Sequence, residues 1–211
     1  MKQLKLGMQL GYWGAGPDPR MVSVAQEAER LGFDAIFTAE AWGSDVFTPL
    51  SWIGAHTERI RLGTAVAQLS ARTPTATAMA ALTLDHLSKG RMILGLGVSG
   101  PQVVEGLQGQ DFSRPLTRLR ETVDICRMAF RGEKLQYEGK AHVLPRPGGE
   151  GKAIRLEFPP APIPIYLATL GPRSLEYTGA GADGWLGTSF SPDHAGAHLD
   201  YIAKGAKNAG R

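Results

Sequence analysis

Arg91-Met-Ile-Leu-Gly-Leu-Gly-Val-Ser-Gly100 sets the reading of the whole chain. A cation leads into a short apolar run, and the run ends in closely spaced glycines. The apolar residues are too few for a helix and lie between turn signals, which predicts a buried strand. Glycines at its C-terminal end let the backbone approach a bulky group. In parallel α/β folds, ligands bind at that end of the strands.

Gly95, Gly97 and Gly100 also spell G-x-G-x-x-G. Three readings stay open: a dinucleotide fingerprint, glycines that serve only a tight βα turn, and a loop that cradles another phosphate-bearing cofactor. The first fits least. The fingerprint belongs on a first strand, opens a helix at once, and needs an acid about 20 residues on at a strand end. Here about three strand–helix units come first, Pro101 follows directly, and Glu121 falls inside a helical pattern.

Working outward, strand patterns cover Leu4 to Leu10, Asp34 to Thr38 and Ile60 to Val66 before the central strand. Ile163 to Ala168 and Asp183 to Gly187 follow it. Helical patterns fill the gaps: Pro19 to Leu31, Pro49 to His56, Pro74 to Leu87, Pro115 to Phe130, Pro172 to Ala180, and a last one from near Asp193. Prolines at helix starts and Gly32 and Gly90 at helix ends support these limits. Leu135 to Leu144 reads as a hairpin, and Pro145 to Pro162 as a long Pro- and Gly-rich loop. Strict alternation predicts a parallel sheet flanked by helices. The count is about six units, against eight and about 250 residues for a closed (β/α)8 barrel. The expectation is one barrel domain, 1–211, lacking its last βα units, with an excursion around 132–162.

The 211 residues suffice for a sizeable core, and the formal charge of +3 is spread out. Without a Lys/Arg run there is no nucleic-acid signal. No apolar run approaches a membrane span or a signal peptide, so the expected location is the cytoplasm. The lone cysteine, Cys126, excludes an internal disulfide framework and sits in the apolar stripe of the Pro115–Phe130 helix. No metal site is expected: His194 and His198 lack the glutamate of H-E-x-x-H, and His86 reads as structural.

Several motifs, in order, carry a resemblance. They are Leu31-Gly-Phe-Asp34, Leu62-Gly-Thr-Ala-Val66, Leu84-Asp-His-Leu-Ser-Lys-Gly-Arg91, Leu94-Gly-Leu-Gly97, Pro164-Ile-Tyr-Leu-Ala-Thr-Leu-Gly-Pro172 and Ala180-Gly-Ala-Asp-Gly-Trp185. The series resembles the luciferase-like flavin and deazaflavin oxidoreductases, most of all the coenzyme F420-dependent branch with its mycobacterial-type members. That resemblance implies a TIM barrel and a flat tricyclic ring at its mouth. It implies a non-prolyl cis peptide at Ala65–Val66 backing the ring, with Gln68 at the ring edge. It places the phosphate-bearing tail against Gly97, Val98 and Ser99 and against Leu170, Gly171, Arg173 and Ser174, where a helix N-terminus favours an anion. Arg72 is a further candidate for the tail. Glu40 and Trp42, after the second strand, are the candidate catalytic contacts.

Deazaflavin-dependent sugar-phosphate dehydrogenases carry a histidine and a glutamate where this chain has Ala41 and Gly100. Alcohol oxidation needs a group to take the hydroxyl proton, so that activity is not expected. The resemblance thus implies hydride transfer between coenzyme F420 and an unidentified small organic substrate, in a homodimer paired through the second and third helices. An FMN-dependent monooxygenase is the alternative, and a non-catalytic cofactor-binding protein or oligomer fragment the second.

Overall fold

The computed structural model describes residues 4–14, 16–188 and 190–211. β1 (Gly7–Gln9) leads to α1 (Met21–Arg30), β2 (Ala35–Thr38), α2 (Phe47–Ala55), β3 (Arg61–Thr64) and β4 (Ala67–Gln68). Then come α3 (Pro74–Leu87), β5 (Met92–Gly97), the single turn α4 (Pro101–Val104) and α5 (Pro115–Phe130). A hairpin of β6 (Tyr137–Glu138) and β7 (Val143–Leu144) precedes β8 (Ile165–Ala168), α6 (Pro172–Gly181), β9 (Gly184–Trp185) and α7 (Gly196–Asn208).

The main sheet has the order β1-β2-β3-β5-β8-β9, with β4 also on β5, and every pairing in it is parallel. Spatial order follows chain order. Crossovers of one hand then put the helices on one face and curl the sheet into part of a barrel. A dinucleotide-binding sheet would reverse its order at a switch point. The core lies between sheet and helices, with Ile36, Leu62, Leu94 and Ile165 from strands meeting Leu50, Leu82 and Leu119 from helices. Cys126 belongs to this core, and burial pushes its thiol up to about 12.

α3 and α5 have the expected limits. Thr73 caps α3, its hydroxyl accepting the Ala76 N–H at 3.2 Å. Other limits moved for local reasons. The first strand is shorter than Leu4 to Leu10 because the Asp34 carboxylate accepts the Leu6 N–H at 2.9 Å, and Leu4 and Leu6 stay exposed. α2 starts before Pro49 because Asp45 Oδ1 accepts the N–H groups of Phe47 and Thr48, each at 2.9 Å. The third strand is interrupted. Gly63 pairs with Ile93 but Ala67 with Leu96, so four steps on one strand match three on the other. This is a β-bulge, a device that re-aims side chains near a sheet rim. The Ala65–Val66 peptide within it is cis.

Glu121, the acid at fingerprint distance, has a different task. From α5 its carboxylate accepts the N–H groups of Lys140, Ala141 and His142 at 2.7, 2.9 and 2.8 Å, pinning the hairpin turn. Glu29 likewise accepts from Glu58, Arg59 and Ile60. Burial pushes both carboxyls up, but the three backbone donors on each outweigh it and leave both below the usual range. Their stabilisation is therefore complete above about pH 4.5, the ordinary glutamate value, and is lost as pH falls through the depressed folded values. A melting-temperature series from pH 6 to 3 should fall below that point. Glu121→Gln should flatten part of the fall, cost about 1–3 kcal/mol in urea titration, and quicken tryptic cleavage at Lys140.

Candidate active site

Parallel strands send their C-terminal ends to one rim, so the segments after β2, β3, β5 and β8 converge there. Glu40, just past β2, is 5% exposed. Its carboxylate accepts Nη1 of Arg72 at 2.7 and 3.0 Å and the backbone N–H of Gln68 at 2.9 Å. The Gln68 amide donates back to the Glu40 carbonyl at 2.7 Å, and its Oε1 accepts from Gln108 at 3.1 Å. Arg72 also lies 3.7 Å from Asp45 and over the Phe47 ring at 5.2 Å. The buried acid thus ties the β2 rim to the bulge.

β3 and β5 are clamped beside the bulge. Thr64 Oγ1 donates to the Gly95 carbonyl at 2.7 Å and accepts the Gly95 N–H at 2.8 Å. Two residues further along β5, Gly97 lies against Val66: a Cβ on Gly97 would stand 2.5 Å from Val66 Cγ2. The expected residues Ala65, Val66, Gln68, Gly97 and Val98 therefore meet at one patch, with Glu40 behind it. Ser99 holds a left-handed φ of 59°, which turns the chain sharply after the strand.

Across a cavity of about 330 Å³, Val98 faces Gly171, Arg173 and Ser174. Gly171 is the N-cap of α6 and supplies no side-chain cap. Pro172 brings no N–H, and Ser174 and Leu175 bond back to the Gly171 carbonyl. The first turn of α6, with Arg173 in it, lines this space, and a helix N-terminus carries unpaired N–H donors and the positive end of the dipole. Such an end suits a phosphate. Thr169 and Thr178 hydroxyls, 2.7 Å apart, hold the loop to the helix.

Trp42 is 77% exposed and Leu170 63% exposed, so both side chains lie on the solvent side of the rim. Arg72, a tail candidate from sequence, is occupied by Glu40. Gln108 went unnoticed in the sequence, where nothing marks a glutamine in a polar loop. Among the described residues no group of three or more His, Cys, Asp or Glu side chains is arranged to hold a metal, and no helix is long and apolar enough to cross a membrane.

A curled parallel sheet with its strands in chain order and its helices outside defines a barrel-type α/β protein. Residues 11–211 match the luciferase-like monooxygenase family, and the chain belongs to that family. It is 52% identical to a Mycobacterium tuberculosis protein provisionally named a coenzyme F420-dependent oxidoreductase, over 98% of this chain and 62% of that protein. It is 32% identical to the F420-dependent glucose-6-phosphate dehydrogenase of Nocardia farcinica, over 100% of this chain and 66% of that enzyme. The coenzyme F420-dependent tetrahydromethanopterin reductase of Methanopyrus kandleri superposes with a TM-score of 0.85 at 24% identity, over 99% of this chain and 62% of that one. The chain thus spans less than two thirds of the length of the curated relatives it matches.

Proposed function

We propose that this chain belongs to an oxidoreductase that exchanges a hydride between coenzyme F420 and a small organic substrate. The observation that carries the proposal is the pairing of two features: a bulge at the centre of the rim and an anion cradle between Val98 and the start of α6. The relatives' names support the deazaflavin as the ring. When bound, that coenzyme supplies the hydride chemistry. The chain's own groups bind and orient it. Backbone N–H groups at Gly97 to Ser99, with Leu170, Gly171, Arg173 and Ser174, hold the phosphate-bearing tail. Ala65 and Val66 back the ring plane and Gln68 meets its edge. Glu40 fixes Gln68 and Arg72, and Trp42 stands on the rim as a wall for substrate.

Ala41 and Gly100 leave no imidazole or carboxylate where the sugar-phosphate enzymes have them, so oxidation of glucose 6-phosphate is not part of this proposal. A homodimer is: Trp52 on α2 and Met79 and Leu87 on α3 are exposed apolar groups suited to pairing, and analytical ultracentrifugation reads the mass. A cytoplasmic location completes the reading.

The decisive experiment titrates the intact protein with coenzyme F420 and, separately, FMN. Saturable F420 binding with weak FMN binding is expected. The reverse preference favours a flavin monooxygenase, and binding of neither removes the proposal. Glu40→Gln should weaken F420 binding about tenfold, equivalent to about 1.4 kcal/mol, because Gln68 and Arg72 lose their charged anchor. Unchanged affinity in a folded variant would count against Glu40's role.

A further inference from the structure

One segment at the rim is held unevenly along its length. α4 sets Val103 and Val104 into the core, and the chain then runs out as a strap, residues 105–113, before α5. Most of the strap faces solvent, Leu107 included. Both of its ends are tied. The N–H groups of Leu107 and Gln108 donate to the Val103 carbonyl at 3.1 and 3.0 Å, and that of Gln110 to the Val104 carbonyl at 2.9 Å. Asp111 accepts the Ser113 N–H at 3.0 Å and Nη2 of Arg118 at 3.2 Å. Between these ties, one side-chain hydrogen bond among the described residues crosses from strap to sheet rim. Gln108 Nε2 donates to Gln68 Oε1 at 3.1 Å.

Hydrogen-bond chemistry fixes the direction of that contact. The Glu40 carbonyl can only accept, so the Gln68 amide meets it with its NH2 group, at 2.7 Å. Gln68 Oε1 is thereby turned to the strap, and Gln108 must answer with its own NH2. The Gln108 Oε1 is then out of solvent with no partner among the described residues. A neutral hydrogen bond contributes about as much as an orphaned buried acceptor costs. The latch is therefore close to balanced, unlike the β6–β7 turn, where one carboxylate takes three backbone donors. The oxygen it occupies belongs to the glutamine that meets the ring edge in the proposed function.

We propose that Gln108 is a placeholder that holds the strap on Gln68 and gives way when a ring-edge N–H donates to the same oxygen. The inference rests on the reading that Gln68 meets the coenzyme's ring, and adds a conformational step to it. Release lets the orphaned Gln108 oxygen reach water and lets residues 105–113 move between their tied ends. The bulge, Glu40 and Arg72 keep their places.

The test compares the intact protein with Gln108→Ala and Gln108→Ser, neither of which reaches Gln68. Coenzyme F420 affinity is read by fluorescence, association by stopped flow and stability by urea titration. A latch that competes with a ligand lowers affinity by the fraction of chains in which it is open. Both variants should bind about threefold more tightly, with the gain in the association rate and the dissociation rate unchanged. Their urea midpoints should match the parent's, because the latch contributes little net stability. Weaker binding by the variants would make Gln108 a direct ligand of the coenzyme, and equal binding would make its contact with Gln68 incidental. Either result overturns the inference and leaves the coenzyme reading standing. If the parent protein takes up no coenzyme F420, both fall.

Discussion

Gly95→Val should leave little folded protein. A Cβ on Gly95 would fall far inside van der Waals contact distance of the Thr64 carbonyl oxygen and 2.7 Å from Leu186 Cδ1. Neither strand can easily yield, because Thr64 Oγ1 bonds both the N–H and the carbonyl of Gly95. Overpacking that flexible side chains absorb costs about 1–3 kcal/mol. Here backbone meets backbone in the central strand pair, so the loss should exceed about 4 kcal/mol, a large share of the 5–15 kcal/mol typical of a domain. Urea titration followed by circular dichroism measures it, with Gly95→Ala as the milder case. A valine variant that melts with the parent protein would refute the close approach of β3 and β5.

Arg91→Met should cost about 3–5 kcal/mol. Arg91 is 9% exposed. Its guanidinium donates to the carbonyls of Ser88, Gly54 and Ile60 at 2.8, 2.8 and 3.1 Å and to Thr57 Oγ1 at 2.9 Å. Burial lowers its pKa, opposed by the charge of Glu29. Methionine fills similar space but leaves buried carbonyls without donors, and each carries a desolvation penalty. Arg91→Lys should recover only part, since one ammonium cannot span acceptors arranged around a planar fork. Stabilities of the three proteins from urea midpoints decide it; parent-like stability of the methionine variant would show that these bonds contribute nothing net.

Arg91 shows where sequence reading ends. In the sequence it is only the cation before an apolar run, and its four partners come from the end of α2, the following loop and the end of α3, which only the fold assembles. Glu121 is similar: its helical position was legible, its grip on the hairpin was not. Alternation, proline starts and glycine stops sufficed for α3, α5 and the parallel order, because those signals are local. The Ala65–Val66 cis bond followed from family resemblance alone. The Glu40–Gln68–Gln108 chain joins residues 28 and 40 positions apart, and no periodicity encodes such contacts. α4 escaped notice because one turn after Pro101 is too short to show a period.

The order of strands also bears on how the chain acquires its shape. Gly7 pairs with Ala35, Ala35 with Arg61 and Leu62 with Met92, each closing a loop of about thirty residues. Leu94 must instead find Ile165 across the whole excursion. Loop-closure entropy rises with that separation, and pairings of high sequence separation are slow to form. The half from β1 to β5 can therefore assemble while later residues are still being synthesised, and β8 then docks onto a finished edge. Pulse-labelling hydrogen exchange during refolding should see amides of β2 and β3 protected before those of β8. The cradle at the start of α6 would come last, so a ligand meets a site whose two sides formed at different times.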